Sequence, residues 1–430
     1  MEHMAMEQYS RGAGRVLRKI TLANISSQCA VEDRADRGID DAGAWWQSFL
    51  RGAPVFSMTD NAPTLRIVDA FCGCGGLSLG VSLAAIACGY TPHVNAAIDM
   101  DPGALAAYEH NLRPEITINA NVDSLVDFHV LDSGGSSRFG YEPEVIEPAL
   151  LRHVGNTDVL LAGPPCEGHS NFNNKTRRDD PRNRLYLSAV ALGTALHARS
   201  IVIENVPEVT SDKGGVVEAA RSILNKSGYR FVSEAVLATH ELGGAQTRKR
   251  FFLVASKGVG GVSLQALKDG LRRPPYSLRW AISDLLNVET KGDGFDDASV
   301  SSGENQRRIE WLFENNEYNL ANTERPDCHK NGHTYPSVYG RLWWEKPAQT
   351  ITTGFQSPGR GRFIHPEQPR VITPHEAARL QSFPDSYIFL PQGAAASSKA
   401  QLSKLIGDAV PPVLGFVAGL AAIASMSVEG

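Results

Sequence analysis

From Leu65 onward, short runs rich in β-branched and aliphatic residues alternate with segments whose apolar positions recur at helical spacing, and this alternation restricts the fold more than any other feature. Strands joined by helix-length connections lie parallel, because each crossover must carry the chain back to the same end of the sheet. The expected fold class is therefore α/β, a doubly wound, Rossmann-like parallel sheet with helices on both faces. Strands are predicted over 65–70, 93–98, 158–162, 201–204 and 251–255. After the first of them, Leu77, Val81, Ala84 and Cys88 fall on one helix face and are read as core.

Residues 1–60 show no strong periodicity and end in Ser57-Met58-Thr59-Asp60-Asn61, so they read as an extension joined by a polar linker. Ser133-Gly134-Gly135-Ser136-Ser137 reads as a flexible insertion, and 287–305, rich in Asp, Gly and Ser, as a loop. The uncharged stretch 409–428 has the length of a bilayer span. Its opening Pro411-Pro412 and its Gly415, Gly419, Ser425 and Ser427 favour a helix packed on the sheet instead. No basic segment leads into an apolar one at the amino terminus, so a cytoplasmic protein without membrane attachment is expected.

Six cysteines in 430 residues are read as thiols, and Cys328 with His329 and His333 lacks a fourth donor, so no metal is expected. Lys and Arg number 42 against 47 Asp and Glu, a formal net charge of −5, which excludes a protein coated in positive potential but permits a basic cleft. The cations that could line one are Lys175, Arg177, Arg178, Arg182 and Arg184, then Arg248-Lys249-Arg250, then Arg360, Arg362 and Arg370.

The chemistry sits at strand ends. Asp69-Ala70-Phe71-Cys72-Gly73-Cys74-Gly75-Gly76 follows the first strand and opens a helix, where glycines let a ligand approach the backbone. Asp99-Met100-Asp101 closes the second strand, at the distance where such folds place an acid on a ribose; the competing role is a helix cap before Pro102. Gly163-Pro164-Pro165-Cys166 stiffens a loop that carries a sulfur, and Glu204 ends an otherwise apolar strand, an environment that raises a carboxyl pKa. A thiol, an acid and the guanidinium groups of Gln246-Thr247-Arg248-Lys249-Arg250 are what attack on an electron-poor pyrimidine requires.

Taken in order with Glu204-Asn205-Val206, His375-Glu376-Ala377-Ala378-Arg379-Leu380-Gln381-Ser382-Phe383-Pro384 and Gly407-Asp408-Ala409-Val410-Pro411-Pro412, these motifs resemble those of DNA cytosine-5 methyltransferases of the restriction-modification type. The resemblance implies a catalytic domain over 61–255 completed by 374–430, with a target-recognition domain over 256–373. It implies S-adenosylmethionine held by Asp69, Phe71, Gly73, Gly75, Gly76, Leu77, Asp99, Met100, Asn121, Val122, Pro164, Asp408, Ala409 and Val410. Cys166 would attack C6 of a flipped cytosine, Glu204 would engage N3 and the exocyclic amine, and Arg248 and Arg250 would support the ring oxygen and the catalytic loop. Ser170, Lys175, Arg177, Arg178 and Arg360 would contact double-stranded DNA. The protein would act as a monomer, with a restriction endonuclease as a separate partner.

Three places depart from the family's pattern: Glu167 with His169 where glutamine and an aromatic residue are usual, Asn121 for aspartate, and Asp408 for asparagine. An amino-methyltransferase would need no thiol, and the tRNA branch carries Cys-Phe-Thr, whereas Cys328 is followed by His329 and Lys330. A non-catalytic regulator on the same scaffold would tend to lose the nucleophile or the acid, and both are present. Target specificity is expected in 256–373, where Tyr335, Tyr339, Arg341, Trp343, Trp344 and the run from Gly354 to Arg360 either contact DNA or build a small core.

Overall fold

The computed structural model describes residues 6–165, 184–289, 292, 294–330, 337–392 and 399–426. The first described strands, β1 (Met6–Gly12), β2 (Arg15–Leu22) and β3 (Ile25–Glu32), are antiparallel; after helix α1 (Asp41–Leu50), β4 (Val55–Ser57) returns to pair with β3. This corrects the expectation of a linker-joined extension. In β2 the inward residues are Val16, Arg18, Ile20 and Leu22, and the charge on Arg18 is what hides the period of two. Arg18 is buried because it pairs with Glu7, which Arg273 also engages at 2.7 Å, and because its guanidinium lies 3.8 Å from the centre of the Phe416 ring. Trp45, Trp46 and Phe49 of α1 join the same apolar cluster as the central sheet.

That central sheet grows from β5 (Thr64–Ala70), α2 (Gly76–Ala87), β6 (Thr91–Asp99), α3 (Pro102–Leu112) and β7 (Ile116–Asn119). The short strands β8 (Val126–Asp127), β9 (Val130–Leu131), β10 (Arg138–Phe139) and β11 (Glu144–Val145) form two small ladders beside it. Then come β12 (Val159–Ala162), α4 (Leu185–Ala195), β13 (Ser200–Asn205), α5 (Val216–Lys226), β14 (Phe231–Ala238) and β15 (Lys249–Ser256). The seven strands lie in the order β14-β15-β13-β12-β5-β6-β7. In β12, Val159 and Leu161 join the cluster on one face while Leu160 and Ala162 join the cluster on the other. Burial on both faces explains why these strands read as unbroken apolar runs.

The five predicted strands are present, but the sheet is not wholly parallel, because β15 runs antiparallel to both β13 and β14. Strands β7 and β14 had not been read from the sequence; their alternating and half-buried residues carry too weak an apolar run. The 133–137 insertion is fastened rather than free, since Ser222 Oγ donates to the Ser137 carbonyl at 2.8 Å and Lys226 Nζ to that of Ser136 at 2.7 Å.

The remaining helices are α6 (Leu264–Gly270), α7 (Leu278–Ile282), α8 (Gly303–Glu314), α9 (Asp327–Lys330), α10 (Pro374–Leu380), α11 (Lys399–Asp408) and α12 (Pro412–Met426). Every residue of α12 is buried, so the apolar stretch near the carboxyl end is a core helix. Its glycines are there for contact with α2: a Cβ on Gly80 would run into the backbone of Gly415. The described residues of 287–302 carry no helix or strand, and α8 begins at Gly303, inside the segment expected to be a loop. The expected division at residue 256 coincides with no break in packing. Leu264, Leu267 and Leu271 pack in the central cluster, and Leu278, Ala281 and Ile282 pack with residues of α10 and α11. A separate small core is confined to Ile309, Leu312, Leu320, Val338, Tyr339 and Ile364.

Candidate active site

The order of the central sheet reverses direction between β5 and β12, and open α/β sheets bind ligands in the crevice at such a switch point. A cavity of about 510 Å³ opens there, at the carboxyl ends of β5, β6, β12 and β13, a size that suits a nucleoside-sized ligand. It gathers Asp69, Phe71, Gly73, Gly76, Leu77, Asp99, Met100, Asn121, Val122, Pro164, Glu204, Arg248, Arg250, Asp408, Ala409 and Val410. Of the expected cofactor residues, only Gly75 stays off the wall. Its φ of 90° turns the chain into α2, and a Cβ there would meet Leu112, Tyr108 and Tyr387. Cys166, Ser170, Lys175, Arg177 and Arg178, with Glu167, His169 and Tyr335, lie outside the described residues.

The loop after β5 is held by the acid that ends β6. Asp99 accepts from the backbone N–H of Gly73 at 2.8 Å and from that of Asp101 at 2.9 Å. The helix cap is Asp101, not Asp99: its Oδ1 accepts from Gly103 and Ala104, and its other oxygen pairs with Lys404 at 2.8 Å. Phe71 has a φ of 55°, so the loop presents its ring to the cavity at the cost of a conformation unfavourable to a bulky residue.

Asp69 is the most unusual wall residue. One oxygen accepts from Ser78 Oγ at 2.6 Å, Ser78 in turn accepts from Tyr108 at 2.6 Å, and the other oxygen is buried without a partner. Burial raises its pKa to about 7, against the lowering effect of the Ser78 and Tyr108 bonds. Asp408, also on the wall, is raised by burial and held back by Lys404, Arg248 and Arg250.

The antiparallel course of β15 sets the other side of the cavity. Asn205 lies opposite Phe251 and Glu204 opposite Phe252, so the start of β15 sits beside the end of β13. Arg250 Nε is thereby 2.7 Å from a Glu204 carboxylate oxygen. A parallel β15 would have delivered its arginines to the opposite edge. Burial raises the Glu204 pKa, countered by Arg250 and then Arg248, in the direction expected of an acid ending an apolar strand. Asn205 Nδ2 donates to the Pro164 carbonyl at 3.3 Å, tying the end of β13 to the loop that leads into Cys166. Arg248 is committed to backbone: Nη1 donates to the Ile351 carbonyl at 2.6 Å and Nη2 to that of Asp408 at 3.5 Å.

Sequence reasoning missed Lys404 and Leu405 on the wall and Ala104 beside them. Only the folding of α11 against α3 brings them there, and nothing in their local sequence marks them. Arg360 is exposed and away from the cavity wall. Arg341 is core, with Nη atoms donating to the carbonyls of Leu312, Glu317 and Pro366 and its guanidinium 4.0 Å from the Phe313 ring centre.

Sheet order, switch-point cavity and acid–arginine pair define an α/β protein with a ligand-sized cavity at the carboxyl ends of its central strands. The model of the family described as C-5 cytosine-specific DNA methylase matches residues 65–421, and the chain belongs to that family: it is a DNA cytosine-5 methyltransferase. The chain is 42% identical over 373 residues to the Type II methyltransferase M1.BsuMI of Bacillus subtilis, covering 86% of this chain and 83% of that one. It is 33% identical over 360 residues to the Type II methylase M.HgiDII of Herpetosiphon aurantiacus, covering 82% and 93%. Among solved structures, a DNA modification methyltransferase encoded in an E. coli prophage shares the fold with a TM-score of 0.57 at 21% identity, over 83% of this chain and 98% of that one.

Proposed function

We propose that this methyltransferase uses S-adenosylmethionine to methylate C5 of a cytosine flipped from double-stranded DNA, with Cys166 as nucleophile and Glu204 and Arg250 as the groups that activate the ring. The observation that carries it is the buried Glu204–Arg250 pair at 2.7 Å, set on the cavity wall beside Pro164 and Pro165, which run directly into Cys166.

The cavity fits the cofactor. The unpartnered oxygen of Asp69 suits an ammonium group, Phe71 offers a face to a purine, and Asp99 stands at the end of β6 for a ribose. Gly73, Gly76, Leu77, Met100, Asn121, Val122, Pro164, Asp408, Ala409 and Val410 would complete its surroundings. When bound, the cofactor supplies a methyl group made electrophilic by a sulfonium.

The chain's own residues do the rest. Attack of the Cys166 thiolate on C6 breaks the C5–C6 double bond and pushes its electrons toward C5 and N3. Glu204, whose pKa burial raises, donates a proton to N3 and so holds the developing charge. Arg250 faces the ring oxygen while it orients Glu204, whereas Arg248 sets the backbone on which both rest. After methyl transfer, loss of the C5 proton restores the double bond and expels the thiolate.

Ser170, Lys175, Arg177, Arg178 and the exposed Arg360 are assigned to the DNA backbone, and the protein is assigned to act as a monomer without membrane attachment. The names of the Type II relatives support a restriction endonuclease acting separately on the same sequence. The test is trapping on DNA containing 5-fluorocytosine with the cofactor present. A denaturation-resistant adduct is expected with the native chain and none with Cys166→Ala; an equal adduct from the alanine variant, or no adduct from the native chain on random-sequence duplexes carrying 5-fluorocytosine, overturns the mechanism. Bisulfite sequencing of DNA from expressing cells would name the modified motif.

A further inference from the structure

Two motif glutamines have no part in the chemistry above, yet both are completely buried. Gln246 opens the segment that carries Arg248 and Arg250, and Gln381 follows α10. Gln381 Nε2 faces two carbonyls, that of Ile406 at 2.6 Å and that of Ala409 at 3.4 Å, which fixes that end of the amide as the nitrogen. Its oxygen then accepts from Gln246 Nε2 at 2.5 Å. Gln246 Nε2 also donates to the Leu380 carbonyl at 2.9 Å, and its oxygen accepts from the Ile351 N–H at 3.2 Å. Arg248 extends the set to the carbonyls of Ile351 and Asp408.

Four segments distant in sequence thus meet on two amides: 246–248, 351, 380–381 and 406–409. The last of these is the one that matters for the site, since Leu405, Asp408, Ala409 and Val410 line the cavity. The carbonyls at 406 and 409 bracket Asp408, and both are held by the same nitrogen of Gln381. A buried amide is costly unless its bonds are made, and here every donor of both side chains is used. An apolar residue of similar size would fill the space equally well but would release this stretch of wall.

We propose that Gln381, supported by Gln246, is a positioning residue for the cofactor: it fixes the 406–410 wall and so sets how tightly the cofactor is held, without touching the reacting atoms. The inference rests on the reading that this cavity takes S-adenosylmethionine. The experiment compares the full-length chain with Gln381→Met and Gln246→Met. Cofactor binding is measured by calorimetry with S-adenosylmethionine, and kcat, the KM for cofactor and the Kd for duplex DNA are measured alongside. Ile223→Ala, in α5 on the far side of the sheet, supplies a control for general destabilisation.

Gln381→Met is expected to raise the cofactor Kd and KM about tenfold while kcat at saturation and DNA affinity stay within about twofold. Gln246→Met should do the same to a smaller extent. The control should lower the melting temperature and leave the KM in place. An unchanged KM in folded Gln381→Met, or an equal rise in the control, overturns the inference. So does failure of both glutamine variants to fold, since the amides would then be stability elements only. If the native chain itself binds no S-adenosylmethionine, the cofactor reading fails instead.

Discussion

The switch-point cavity and the small core around residues 309–364 treat buried charge in opposite ways. In the cavity, Asp69 keeps an oxygen without a partner and burial raises the pKa of Glu204, against the pull of Arg250 and Arg248. In the small core, Arg341 and Arg362 are also buried, but their Nη atoms spread over carbonyls: Arg341 on three, and Arg362 on those of Tyr318 and Arg341. Arg362 also lies 4.1 Å from the Trp343 ring centre. A carboxyl that faces a cavity with an oxygen to spare is placed to receive a ligand; a guanidinium off the cavity wall, with its Nη atoms spread over backbone acceptors, is building material. Residue type alone would have assigned both arginines to DNA.

The comparison can be broken by substitution. The largest effect is expected at Glu204→Gln, which keeps the shape and a hydrogen bond but removes the titratable proton. Its kcat should fall about 10²–10⁴-fold with melting temperature little changed, measured by methyl transfer and by thermal unfolding. A loss below about threefold would mean that burial of the acid serves packing.

Next comes Arg341→Met. Loss of its carbonyl bonds should cost about 2–4 kcal/mol of stability by denaturant unfolding and leave the cofactor Kd within about twofold. A stable variant with weakened DNA binding would instead make Arg341 a contact residue.

The smallest effect, and the most diagnostic, concerns Asp69. Its folded pKa of about 7 exceeds that of an exposed carboxyl, so the folded state binds the extra proton. Stability of the ligand-free protein is then greatest at low pH with respect to this group and declines as pH rises toward 7. Asp69→Asn should remove that decline, raising stability above pH 7 by about 1–2 kcal/mol, while weakening cofactor binding. A variant destabilised at every pH, with cofactor Kd unchanged, would place Asp69 among the structural acids.

Much of the fold was legible because strands buried on both faces must be continuously apolar and helices between them must be amphipathic. The strands that escaped, β7 and β14, flank the sheet, and half-burial left their sequences mixed. The N-terminal sheet escaped because one of its inward positions is an arginine, made tolerable only by Glu7 and the Phe416 ring. The first lies on the neighbouring strand, and the second is remote in sequence.

The sequence by itself determined the chemical inventory and its order: glycines and acids after the first strands, the thiol behind two prolines, the glutamate at a strand end, the arginines after Gln246. Local pattern suffices for these because each depends on its own strand or loop. The tertiary structure alone decided which of them meet. The reversal of β15 brings Arg250 to Glu204, and α11 folds Lys404 and Leu405 onto the cavity wall. Two buried amides bind the wall to the strand that carries the arginines. Strand direction and contacts across long stretches of chain depend on the whole packing energy, and no short window of sequence contains it.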